Sequence, residues 1–74
     1  MNTLQDFYAA AFLIASGVPM VDHYKVQRMT TFVFADTERV TNLLEVYYSM
    51  QASIEPVRYG NAIRNLKSII HASK

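Results

Sequence analysis

The chain has 74 residues, 51% of them apolar, a formal net charge of +1 and no cysteine. That length holds one domain at most, residues 1–74, and a chain so small buries only roughly 60% of the surface it exposes when unfolded. Disulfides and thiolate metal sites are excluded, as are a strongly basic nucleic-acid arm and an acidic mimic of nucleic acid.

Thr3 with Asp6 three residues later has the spacing of a capping box. It predicts a first helix from about Leu4 to Ser16, closed by Gly17 as its C-terminal cap. Leu4, Phe7, Tyr8, Ala11 and Ile14 form the main stripe, and Phe12 and Leu13 lie off it. A helix apolar over so much of its circumference must be covered on more than one side, which implies a central position or a subunit interface. Phe12 and Leu13 are therefore the candidate self-association residues. The apolar run from Phe7 to Ile14 is too short to span a bilayer. No Lys or Arg precedes it, and Asp6 does, unlike the start of an export signal. A cytoplasmic protein away from membranes is the expectation.

Pro19 to Val26 and Met29 to Ala35 are rich in Val, Tyr, Thr and Phe and lack a helical stripe, so they read as two strands of a hairpin. Its turn, Val26-Gln27-Arg28, has neither Gly nor Asn. Alternation puts Phe32 and Phe34 on one face and Thr31 and Val33 on the other. Asp36 is the expected N-cap of a second helix, Thr37 to Met50, with Val40, Leu43, Leu44, Tyr47 and Tyr48 on its stripe. Pro56 suits the first turn of a third helix running to His71. Its stripe is Tyr59, Ala62, Ile63, Leu66, Ile69 and Ile70, edged by Arg64, Lys67 and His71, with Lys74 just beyond.

The expected fold is α+β, helix–β-hairpin–helix–helix, with a two-stranded antiparallel sheet. An isolated hairpin is marginal and leaves its edges open. Pairing two hairpins across a homodimer would close one edge in a four-stranded sheet.

Three patches carry a resemblance. They are Phe7-Tyr8-Ala9-Ala10-Ala11-Phe12-Leu13-Ile14-Ala15-Ser16-Gly17, Thr31-Phe32-Val33-Phe34-Ala35-Asp36-Thr37 and Arg58-Tyr59-Gly60-Asn61-Ala62-Ile63-Arg64-Asn65-Leu66-Lys67. In this order and spacing, from Phe7 to Ile70, the chain resembles a family of very short bacterial and phage proteins catalogued as a domain of unknown function. The resemblance implies the helix–hairpin–helix–helix layout and a bacterial or phage origin. It brings no activity and no site residues.

The sequence holds no GxSxG, no HExxH and no glycine loop able to cradle phosphate, so an enzyme is not expected. Neither is a cofactor. Two histidines, His23 and His71, without cysteine do not make a structural zinc set. The leading reading is a non-enzymatic interaction or accessory module, acting as a homodimer on an unknown protein partner. Tyr47, Tyr48 and Tyr59 supply an aromatic patch of the kind enriched at interfaces, although core tyrosines with hydroxyls at the surface is the plainer account. The runner-up is a small nucleic-acid-binding protein whose Lys25, Arg28, Arg64 and Lys67 contact phosphates. A third reading is a phage protein that sequesters an anionic small molecule or a host protein.

Overall fold

The structure, a computed structural model, describes residues 2–72. Lys74, placed at the end of the basic edge above, lies outside the described residues. The element order is β1 (Asn2–Leu4), α1 (Phe7–Ala15), β2 (Met20–Val26), β3 (Met29–Phe34), α2 (Glu38–Tyr48) and α3 (Pro56–Ala72). The sheet is three-stranded and antiparallel in the order β1-β3-β2.

This corrects the expected helix–hairpin–helix–helix fold with two strands. Thr3, expected as a cap, and Leu4, expected to start the first helix, pair with β3 instead, together with Asn2: Asn2 lies opposite Phe34, Thr3 opposite Val33 and Leu4 opposite Phe32. That pairing covers one edge of the hairpin, where a free strand edge is a liability. The helix then begins at Phe7 with Asp6, not Thr3, as its N-cap. Asp6 Oδ1 accepts the N–H groups of Tyr8 and Ala9, each at 3.1 Å. At α2 the cap is likewise Thr37 and not Asp36, with Thr37 Oγ1 accepting Val40 N–H at 3.2 Å. Pro56 opens α3 as expected, and Glu55 just before it accepts Arg58 N–H at 2.8 Å.

Two helix ends share one motif. After α1, Gly17 N–H bonds to the Ile14 carbonyl and Val18 N–H to that of Leu13, with Gly17 at φ +95°. This Schellman turn satisfies otherwise orphaned carbonyls. The same two bonds close α2, Met50 N–H to Tyr47 and Gln51 N–H to Val46. Here the left-handed position, φ +63°, is taken by Met50, whose side chain is 93% exposed. The hairpin loop repeats the mismatch. Gln27 has φ +58° at the first loop position, where a type II′ turn takes glycine. A Cβ in that region costs about 1–2 kcal/mol. Met50→Gly and Gln27→Gly should each therefore raise stability in urea, by about 1 kcal/mol, with the gains additive because the sites are separate.

The helices pack on the sheet face that carries Phe32, Phe34, Leu4 and Met20. α1 is the central rod. Ala9, Ala10, Ala11, Phe12, Leu13 and Ala15 are all buried, the small alanines letting neighbouring elements approach closely. α2 runs antiparallel to it, since Tyr48 reaches Asp6 at one end and Arg39 reaches the Ser16 carbonyl at the other. α3 lies along α1 through Tyr59, Ala62 and Leu66. Phe12 and Leu13 are 3% and 0% exposed within one chain. They are interior residues of a central helix, which corrects their assignment as a self-association surface. The cover that this helix requires comes from the chain's own sheet and helices.

β3 is also covered on its second face. Thr31 and Val33 are buried although both helix-facing positions, Phe32 and Phe34, belong to the other side. Their shelter comes from flanking strands, Thr3 and Asp22 beside Val33 and Tyr24 beside Thr31, with the Gln5 amide reaching Thr31 Oγ1 at 3.5 Å. The remaining edges are blunted. β1 has three residues, and β2 carries a bulge at Val21 between Met20 and Asp22. Short strands and bulges discourage edge-to-edge pairing, which weighs against a sheet continued into a second copy.

Candidate functional site

Three helix ends meet at one place. The antiparallel α1–α2 pair puts the start of α1 beside the end of α2, and the short link 49–55 brings the start of α3 to the same end. Each contributes tyrosines: Tyr8 from α1, Tyr47 and Tyr48 from α2, and Tyr59 from α3.

Asp6 organises the cluster. Its Oδ1 caps α1, and its Oδ2 accepts the Tyr48 hydroxyl at 3.0 Å. The Tyr59 hydroxyl donates to the Tyr8 carbonyl at 3.2 Å. Ring contacts fix the rest. Tyr47 lies against Phe12 with centroids 5.4 Å apart and meets Tyr48 edge-on at 5.2 Å, while Phe7 and Tyr8 form a second edge-on pair at 5.2 Å. Such geometry contributes about 0.5–1.5 kcal/mol per pair beyond area burial.

Burial at the cluster, and then the Asp6 carboxylate, hold the Tyr48 phenol above its ordinary range. Burial and then neighbouring Tyr47 do the same for Tyr59. Both phenols are thereby kept in the neutral, hydrogen-donating form. Tyr8 and Tyr48 nevertheless remain 54% and 56% exposed. The arrangement presents two ring surfaces to solvent on a fixed scaffold beside a carboxylate, which suits non-covalent contact.

A protein family described as a domain of unknown function, DUF5659, matches residues 2–72. The chain belongs to this family. No curated protein and no solved structure matches it. The DUF5659 match takes in β1 and Asp6 as well as all four tyrosines, so the cluster lies wholly within the family's domain.

The sequence reading placed Tyr47, Tyr48 and Tyr59 on inward stripes and offered them as a patch. The structure brings them together and adds Tyr8 and Asp6, which that reading had used only as a stripe residue and as a capping residue. The four basic candidates are distributed differently. Lys25 is the last residue but one of β2, opposite Thr30, and Arg28 sits in the hairpin loop, whereas Arg64 and Lys67 stand one turn apart on the exposed side of α3. Among the described residues none of the four is ion-paired, and no hydrogen bond joins the two pairs. No three of His, Asp and Glu come together among the described residues. No helix there is long and apolar enough to cross a membrane.

Proposed function

We infer that this DUF5659 domain is a non-enzymatic protein-interaction module whose contact surface is the tyrosine cluster. The observation that carries this reading is the convergence of Tyr8, Tyr47, Tyr48 and Tyr59 from three helices around Asp6, with two of the rings more than half exposed. Tyrosine is enriched among interface residues and at hot spots. It offers large contact area at little conformational cost because it has two rotatable side-chain bonds. Rings already held by hydrogen bonds and edge-on contacts lose still less on binding. The resemblance of the three patches to short bacterial and phage proteins supports a bacterial or phage origin.

A second reading is favoured by the unpaired cations Lys25, Arg28, Arg64 and Lys67, which are free to meet phosphates. One experiment separates the two. Immobilised wild type, the Tyr8→Ala/Tyr48→Ala variant and the Arg64→Glu/Lys67→Glu variant are challenged with lysate of the native cell, and separately with DNA and RNA, across a salt series. The interaction reading expects a partner protein kept at high salt by wild type and by the charge-reversed variant. The tyrosine variant, its fold checked by circular dichroism, should lose that partner by at least tenfold, about 1.4 kcal/mol. Retention indifferent to the tyrosines overturns it. Nucleic-acid retention that falls steeply with salt and vanishes on charge reversal establishes the runner-up instead.

A further inference from the structure

At the opposite ends of α1 and α2 from the tyrosines lies an open cleft of about 300 Å³. Its walls are Val18, Pro19, Val21, Ala35 and Val40, with Thr37 and Arg39 completing the lining. Regular structure builds each wall. The Schellman turn after α1 sets Val18 and Pro19. The β2 bulge takes Val21 out of the ladder, and bulges commonly re-aim a side chain in this way. The joint between β3 and α2 supplies Ala35, Thr37 and Val40.

Arg39 is the single charged group in this lining. One of its terminal nitrogens donates to the Ser16 carbonyl, which anchors the guanidinium over the Gly17 turn. The other N–H groups of the fork stay available. Asp36 and Glu38 shortly precede Arg39 in sequence, yet neither lines the cleft, and no carboxylate pairs with Arg39 among the described residues. An apolar slot with one anchored guanidinium at its rim is complementary to a molecule with an alkyl body and one anionic head. The volume falls at the small end of the range for small-molecule sites.

We propose that this cleft binds a small amphiphilic monoanion, in its simplest form a medium-length alkyl carboxylate. The alkyl chain lies against Val18, Val21, Ala35 and Val40, and the carboxylate takes the free donors of Arg39. Planar, paired N–H groups favour a carboxylate over a neutral hydroxyl. The site is independent of the tyrosine cluster and stands or falls without it.

The test is a nuclear magnetic resonance titration of the full chain. The probes are acetate, hexanoate, octanoate and decanoate below their micelle concentrations, with 1-octanol as the uncharged counterpart. Saturable shifts confined to Val18, Val21, Ala35, Thr37, Arg39 and Val40 are expected. Affinity should rise about fourfold per added methylene until the slot is full. Arg39→Gln keeps an amide to reach Ser16 and should weaken octanoate roughly tenfold while leaving octanol unchanged. Val21→Glu, on an exposed bulge where a polar side chain is tolerated, should abolish octanoate binding by repulsion. Absence of saturation, equal affinity for octanol and octanoate, or indifference to Arg39→Gln overturns the proposal. So do shifts spread over exposed Tyr24, Val26 and Met29, which would mean unspecific adsorption. Ligand-free shifts at the cleft that grow with protein concentration would show it occupied by a second copy, and overturn it too.

Discussion

Leu66→Ala should destabilise the domain by about 2–5 kcal/mol, the range for leucines truncated in a packed interior. Leu66 is 0% exposed and belongs to the cluster that joins α1, β3, α2 and α3. α3 holds few other fully buried side chains, with Ala62 alone beside it. Removing the Leu66 isobutyl group thus takes away the main large anchor between the third helix and the centre. A domain of this length has a total stability on the order of 4–11 kcal/mol. The melting temperature should accordingly fall by roughly 10 °C or more, and at the upper end of the cost the variant should be largely unfolded. Two controls bracket the effect. Leu66→Met conserves volume and should cost under about 1.5 kcal/mol, while Lys67→Ala, one residue away and exposed, should stay within about 0.5 kcal/mol of wild type. An unchanged melting temperature for Leu66→Ala would mean that α3 docks through another face.

The third helix was also the element most legible in the sequence. Tyr59, Ala62, Ile63, Leu66, Ile69 and Ile70 all face inward, and Pro56 begins the helix, because a long amphipathic stripe over an N-terminal proline has few alternative readings. The hairpin followed for a related reason: β-branched and aromatic residues cluster in two adjacent runs. β1 was not legible. Asn2, Thr3 and Leu4 are too few to show a period, and Thr3 stands at the spacing of a cap. What makes them a strand is an edge of β3 some thirty residues away in sequence, and pairing at that range leaves no local mark. The N-caps slipped in the same manner. Thr3 and Asp6, like Asp36 and Thr37, are each competent caps, and the choice within each pair was settled by where the neighbouring strand ends.

Phe12 and Leu13 show how a correct local inference can point to the wrong scale. An all-round apolar helix does need cover on several sides. Composition does not say whether that cover is another subunit or the chain's own sheet and helices, and here it is the latter. The tyrosine cluster was half legible on the same grounds. Stripe positions predicted that Tyr47 and Tyr59 face inward, and both are half-buried. Tyr8 and Tyr48, on the same stripes by count, end more than half exposed because they lie where the three helices run out and nothing packs beyond them. The cleft beside Arg39 left still less trace, since its walls come from two turns and a bulge, none of which has a period.

Asp6→Ala is the second substitution with a large expected effect, roughly 1–2 kcal/mol for the lost cap on the central helix. Asp6→Asn should recover most of it, since an amide oxygen caps about as well as a carboxylate. Oδ2 adds a separate contribution through the Tyr48 hydroxyl. A double-mutant cycle of Asp6→Ala with Tyr48→Phe isolates it, and a coupling of about 0.5–1 kcal/mol is expected for so exposed a pair. Additive single effects would show that the 3.0 Å contact contributes nothing to stability. The same bond sets a pH dependence. The folded-state pKa of Tyr48 is raised above its ordinary 10.0, first by burial and then by Asp6. The neutral phenol is thus the form that folding favours. Its contribution is complete below the unfolded-state value and is lost as pH climbs through the higher folded-state value. Wild type should accordingly lose more stability than Tyr48→Phe as the pH passes from about 9 to about 11, and tyrosinate absorbance should appear later in the native than in the urea-unfolded chain. Because Asp6 both starts α1 and holds Tyr48 in place, Asp6→Ala should weaken partner retention along with stability. Asp6→Asn, with the cap restored and the carboxylate gone, tells whether the partner reads the fixed ring or the charge beside it.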